Sequence, residues 1–176
     1  MTVSEEAGIS IRPYANGDMW LLERTLGEPS QMVHLNGPET NERIQRRHKL
    51  FVSMSADPHE GCQFTVLVGP TDAPAGNVGY WESEWKGQKA WELGWFVLPE
   101  FQGRGVATAA VRLVIDRISK LQSPKAAVAF PSVNNHASNA ICRSLGFTLK
   151  EEVGSEYPPG SGRSLQVNVW WLSLPS

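Results

Sequence analysis

The chain has 176 residues, 41% hydrophobic and 19% charged, enough for one packed domain and too apolar for global disorder. Sixteen Lys and Arg against eighteen Asp and Glu leave a formal charge of −2, which argues against a nucleic-acid binder working through a broad basic face. No apolar run approaches the roughly 20 residues that span a bilayer, and MTVSEEAGIS lacks the basic and apolar regions of a secretory signal. Cys62 and Cys142 are too few for a disulfide framework and read as small core residues in a reducing compartment, so the expected location is cytoplasmic, away from membranes. The histidines at 34, 48, 59 and 136 show no metal-ligand spacing, and no metal is expected.

In chain order, residues 1–9 read as a tail and 10–176 as one domain. Ser10 to Pro13 alternates as a short strand. Asp18 to Leu26 is helical, with Asp18 as cap and Gly27 as stop. Thr40 to Met54 is a second helix, capped by Thr40 and favoured by Glu42 in its first turn. Its basic run, Arg43, Arg46, Arg47 and Lys49, reads as a solvated face. Phe64–Val68, Asn77–Glu82 and Ala90–Leu98 are strands by β-branched and aromatic content. Gly105 to Leu121 is a long helix with a clear apolar period. A strand at Lys125–Phe130, a short helix at Ser138–Leu145 closed by Gly146, and strands near Thr148–Val153 and Leu165–Leu174 complete the chain. Three consecutive strands imply an antiparallel meander, and the strand–helix–strand after them implies a parallel crossover. The expected fold is α/β in the broad sense (α+β), a mixed, mostly antiparallel sheet of about seven strands with helices packed on it.

The chemistry concentrates in WELGWFVLPEFQGRGVATAA, Trp91 to Ala110. A buried strand ends at Pro99, and Gln102-Gly103-Arg104-Gly105-Val106-Ala107 leads directly into the long helix. The two glycines clear side chains where the backbone turns, and a helix start exposes unpaired N–H groups and a partial positive charge. A diphosphate suits such a place, with Arg104 adding a charged hydrogen bond, although a Gly-rich turn without ligand fits GxG alone equally well. A P-loop is excluded because no Lys–Ser/Thr pair follows Gly105. A dinucleotide fingerprint is excluded because Thr108 stands where the third glycine belongs, the loop is in mid-chain, and 117–150 contains no acidic residue.

Gln102-x-x-Gly105-x-Ala107, preceded by Val97-x-Pro99, resembles the Q/R-x-x-G-x-G/A signature of the GNAT superfamily of N-acetyltransferases. Asn135-His-Ala137-Ser138 followed by Leu145-Gly146-Phe147 is similar to the pattern of its ribosomal-protein-acetyltransferase-like (RimJ/RimL-type) branch. The resemblance, which runs from Ser10 to Leu174, implies the GNAT fold with helices on both faces and acetyl-CoA as co-substrate. It implies that Gly103, Arg104, Gly105, Val106, Ala107 and Thr108, with Gln102, bind the CoA pyrophosphate. Phe96, Val97 and Leu98 would splay from the neighbouring strand and pair with the pantetheine, an N–H near Val97 or Leu98 serving the oxyanion. Asn135 would sit near the pantetheine arm or fix the following helix.

Glu92 is the first candidate for general base, since burial among Trp91, Leu93 and Trp95 would raise its pKa toward neutrality; Glu82 on the neighbouring strand is the second. Where many relatives carry an acidic tyrosine this chain has Cys142, a weak donor, and Ser138 is the alternative acid, as well as a helix cap and CoA contact. Trp20, Tyr80 or Trp85 are candidates to line an acceptor pocket, and Glu82 and Glu84 would favour a cationic acceptor. The expected acceptor is a small-molecule amine or a protein N-terminus. Transfer of another acyl group, or a CoA-binding module without catalysis, are the alternatives, and a homodimer through the terminal strands follows from family habit alone.

Overall fold

The structure, a computed structural model, describes residues 2–4, 8–57 and 60–175. Its elements are β1 (Thr2–Ser4), β2 (Ile9–Pro13), α1 (Met19–Leu26), α2 (Asn41–Ala56), β3 (Gly61–Val68), β4 (Ala73–Trp85), β5 (Gln88–Val97), α3 (Val106–Ile118), β6 (Ala126–Ala129), α4 (His136–Ser144), β7 (Thr148–Glu156) and β8 (Ser164–Ser173). The strands form one eight-stranded sheet in the order β1-β2-β3-β4-β5-β6-β8-β7. Every pairing is antiparallel except β5 with β6, the crossover through α3. The expected tail therefore supplies an edge strand, Thr2–Ser4 against Ile9–Ile11, and the sheet has one strand more than the sequence suggested. A three-residue strand carries too little alternation to be read from its letters.

β4 and β5 are joined by a two-residue turn at Lys86–Gly87, both at positive φ (49° and 78°), the primed geometry that matches strand twist. The pleat then separates two faces. Tyr80, Trp91 and Leu93 join Val106, Ala110, Leu113 and Val114 of α3, with Cys142 and Phe147, in one buried cluster. On the opposite face α1 and α2 pack Leu22, Leu26, Ile44 and Phe51 around Tyr14 and Met32, with Phe96 and Tyr157 against them.

Asp18 stands at the N-cap position of α1, as expected, but its side chain makes no bond to that helix. Its buried carboxylate accepts two hydrogen bonds from Arg12 (both 2.7 Å), one from Thr65 Oγ1 (2.8 Å) and one from the Ala15 N–H (2.9 Å). Burial pushes its pKa up, but these donors outweigh that and hold it below the usual carboxylate range. The residue thus ties the chain entering α1 to β2 and β3. Thr40 does cap α2, accepting from the Arg43 N–H at 3.4 Å. Helix α4 starts two residues before the expected Ser138, and Asn135 caps it by accepting the Ser138 N–H at 3.0 Å.

Candidate active site

The site grows from a break in the sheet. β5 and β6 share only two register pairs, Trp91 with Ala127 and Glu92 with Val128, after which β6 continues along β8 alone. Beyond Glu92, β5 is paired on one edge only. The direction of its free groups follows from the β4–β5 register. The two-residue turn makes Trp85 and Gln88 a hydrogen-bonded pair, and alternation carries the same phase to the far end, where the Leu98 N–H donates to the Ala75 carbonyl at 2.8 Å. Odd-numbered residues of β5 therefore turn their main-chain groups away from β4. Trp95 and Val97 present N–H groups to the open wedge. Phe96 and Leu98 do not: their main chains face β4, and Phe96 packs against the α1–α2 cluster.

The side chain of Gln102 is held by the chain itself. Its Nε2 donates to the Val97 carbonyl at 2.8 Å and to Gln31 Oε1 at 3.1 Å, bracing the end of the splayed strand. Gly103 and Gly105 follow, both at positive φ (71° and 74°) with Arg104 between them. Such alternation points successive N–H groups into one concavity. A Cβ built on either glycine meets nothing within 4 Å, so the space above this backbone is open. Gly105 caps α3 without any side-chain bond, and the first backbone bond of the helix is Ala109 N–H to Gly105 C=O at 3.0 Å. The N–H groups of Val106, Ala107 and Thr108 are left for a ligand. Positive end, open space and unpaired donors together fit the CoA pyrophosphate.

Glu92 is the last residue of β5 paired with β6, which puts it at the apex of the wedge. Its side chain lies on the α1–α2 face, opposite to Trp91 and Leu93. Gly94 beside it has no room for a side chain, since a Cβ there would stand 2.7 Å from the Trp81 ring that crosses β5. Ser83 Oγ donates to Glu92 Oε2 at 2.9 Å. Burial raises the carboxyl above its ordinary value, and the bonds from Ser83 and Trp81 oppose this only in part. Ser83 was missed from sequence: it is nine residues away and meets Glu92 only through the hairpin register.

Glu82 is exposed, pairs with Trp91, and is turned to the other sheet face. With Ser83, Glu84, Lys89 and Pro124 it borders a cavity of about 260 Å³. Cys142 is wholly buried in the α3-side core, and desolvation pushes its thiol up to about 12. A thiol so placed donates no proton to a ligand, because nothing outside the core reaches it. Ser138 is partly exposed in the first turn of α4. Asn135 fixes that helix, the second of its two expected roles. Asn139, unforeseen, is buried and joins four groups: its amide donates to the carbonyls of Ser132 (2.9 Å) and Asn135 (2.8 Å), and its oxygen accepts from Asn168 and Trp170 (2.8 Å each). The aromatic acceptor wall is not assembled as expected. Tyr80 is core, and Trp85 bonds Glu151 and packs on Trp171 at the far hairpin end; only Trp20 is well exposed. Among the described residues no cluster of His, Cys, Asp and Glu suits a metal ion, and no helix is long and apolar enough to cross a membrane.

Residues 9–148 match the family model described as Acetyltransferase (GNAT) domain. No curated protein matches the chain. Among solved structures it is similar to the Salmonella typhimurium acetyl transferase that modifies the N-terminal serine of the 50S ribosomal subunit protein L7/L12, with 18% identity, a TM-score of 0.79, and 99% of this chain and 98% of that one covered. It is similar to ribosomal-protein-S5-alanine acetyltransferase from Vibrio fischeri (18% identity, TM-score 0.75, 98% and 97% covered). Spermidine N-acetyltransferase from Vibrio cholerae, solved with CoA and spermine, has the same fold (16% identity, TM-score 0.75, 94% and 95% covered).

Proposed function

The chain belongs to the GNAT acetyltransferase family and uses acetyl-CoA as its co-substrate; we propose that it acetylates a primary amine with Glu92 as the general base. The observation that carries this reading is the coincidence of a half-buried carboxylate, the one whose pKa is raised among the described residues, with the point where β6 leaves β5. From the α3 N-terminus, where Gly103–Thr108 take the pyrophosphate, Val97 and Trp95 hold the pantetheine as an added strand. Val97 to Glu92 spans five residues, roughly 16 Å of strand, which brings the thioester to the apex.

An alkylammonium has a pKa of about 10.4, so the acceptor arrives protonated. Glu92, directly or through a water, takes that proton, its raised pKa making it a better base than an exposed glutamate. The Trp95 N–H, nearer the apex than Val97, donates to the oxyanion as the amine adds to the thioester carbonyl. Leu98 is withdrawn from that role because Ala75 holds its N–H. A thiolate with a pKa of about 8.5 leaves readily, so the burial of Cys142 does not stop the reaction, and Ser138 remains the hydroxyl on the leaving-group side. The acceptor is a small amine or a protein N-terminus, the latter supported by the RimJ/RimL-type letters at Asn135–Phe147.

Calorimetric titration with acetyl-CoA and a thiol-release assay over amines and N-terminal peptides test the reading. The Glu92→Gln variant is expected to bind acetyl-CoA like wild type and to lose about 10²-fold or more in kcat/KM. Equal turnover in that variant removes Glu92 as base. Binding with no thiol release on any acceptor replaces the enzyme by a CoA-binding module.

A further inference from the structure

Helix α2 carries Arg43, Arg46 and Arg47 at spacings of three and four, on one side of the helix. Arg46 is exposed, as a solvated face requires, while Arg43 and Arg47 are partly buried. With Leu50, Glu39 and Pro159 of the β7–β8 turn they border a cavity of about 360 Å³. Lys49 points elsewhere on the helix and is no part of it.

One of the three guanidinium groups is already matched. Arg47 Nη2 lies 2.6 Å from Glu39 Oε1, which is buried and also accepts from Tyr157 Oη at 2.8 Å. Arg43 and Arg46 face the cavity besides, and Glu42, one turn before Arg46 and fully in solvent, offsets only part of their charge. Leu50, 55% exposed, adds an apolar wall. The opposite wall is fixed in place: Asn36 donates to the Tyr157 carbonyl at 3.1 Å, and Arg163 donates back to the Asn36 carbonyl at 3.0 Å. Tyr157 packs in the same cluster as Phe96, the β5 residue between Trp95 and Val97, which links the wall of the cavity to the splayed strand.

We infer that this cavity anchors an acidic side chain close behind the reacting N-terminus of a polypeptide acceptor. The inference rests on the acetyltransferase reading above and names its substrate class. Arginines match carboxylates in bidentate geometry, and Leu50 and Pro159 suit the methylenes of a glutamate. A polyamine meets an excess of cations here and is repelled. A nucleic acid or an anionic bilayer needs a broad basic surface, whereas these charges line a concavity between a helix and a turn on a chain of net charge −2.

Fluorescence anisotropy with the full chain in the presence of CoA tests this without requiring turnover. The probes are labelled peptides with one shared free N-terminal residue, followed by acidic, uncharged or basic residues. The acidic peptide is expected to bind at least about ten-fold tighter than the uncharged one at low salt, and to lose that advantage as salt rises. The Arg43→Glu/Arg46→Glu variant is expected to abolish the preference, and Arg43→Gln/Arg46→Gln to reduce it, both with wild-type thermal melting. Equal affinity for acidic and uncharged peptides overturns the inference, as does an unaltered preference in both variants. Tighter, arginine-dependent binding of RNA or of phosphatidylserine vesicles overturns it too, in favour of that partner. If thiol release fails on every amine the catalytic reading falls, while anisotropy still judges the cavity. In the active enzyme the arginine variants raise KM for acidic peptides and leave kcat unchanged, whereas Glu92→Gln does the reverse.

Discussion

Glu92 and Ser83 show how much of the chemistry lies in one hydrogen bond. Burial drives the Glu92 carboxyl up, and the Ser83 hydroxyl, bonded to Oε2, works against that by stabilising the charged form. Removing the hydroxyl in Ser83→Ala takes away the opposing effect, so the pKa rises further. The acidic limb of the kcat/KM profile for thiol release is therefore expected to move to higher pH in Ser83→Ala, with the plateau at high pH retained. A limb that stays in place means that Glu92 is not the titrating base. The shielded setting of Glu92 was legible because a lone glutamate among Trp91, Leu93 and Trp95 stands out in an apolar strand. Ser83 was not, since its meaning depends on the Lys86–Gly87 turn that sets the register. Cys142 is the core residue its letters suggested; what its motif position did not reveal is that α4 turns the thiol inward, away from the role of acid.

At the scale of elements, the N-terminus of α3 is the feature that sequence reading captured best, since two glycines stand directly before a clear apolar helical period. What it missed was the division of labour within the loop. Gln102 holds the strand end while the glycines leave the space above the backbone open, because its partners Val97 and Gln31 are set by the path of the chain. The seat can be tested by separating charge from shape at Gly105. Its φ of 74° is one that Asn and Asp tolerate better than other side chains, and no atom lies within 4 Å of a Cβ there. Both substitutions should fold. Gly105→Asn is expected to weaken CoA binding by crowding the backbone donors. Gly105→Asp, of nearly equal size, is expected to weaken it at least about ten-fold more by placing an anion at the positive end of the helix. Calorimetric titration of the two variants side by side gives the comparison. Equal affinities for Asn and Asp would place the phosphates away from this helix start.

For the molecule as a whole, the sheet consists of two parts joined weakly. β1 to β5 form one antiparallel series and β6, β8 and β7 another, and between them the ladder has two register pairs, Trp91–Ala127 and Glu92–Val128. The parallel crossover was legible from the strand–helix–strand order, but its early parting was not, because no residue in Ala126–Ala129 marks where pairing stops. A ligand arm laid along Trp95 and Val97 completes the unpaired edge of β5 and ties the two parts together. Binding to the folded chain alone adds RT ln(1 + [L]/Kd), about 2.7 kcal/mol at a hundred times Kd. For a chain of this length each kcal/mol moves Tm by about 2–4 °C, so saturating acetyl-CoA is expected to raise Tm by roughly 5–10 °C. The position of the effect is the sharper test. Hydrogen exchange should slow most at the Trp95 and Val97 amides and at the first turn of α3, with little change at Phe96 or Leu98, whose N–H groups β4 already holds. Protection confined to α3, with Trp95 and Val97 exchanging as in the free chain, would mean that the phosphates bind there while the thioester arm takes a path outside the wedge, and Glu92 would then stand too far from the reacting carbonyl to serve as its base.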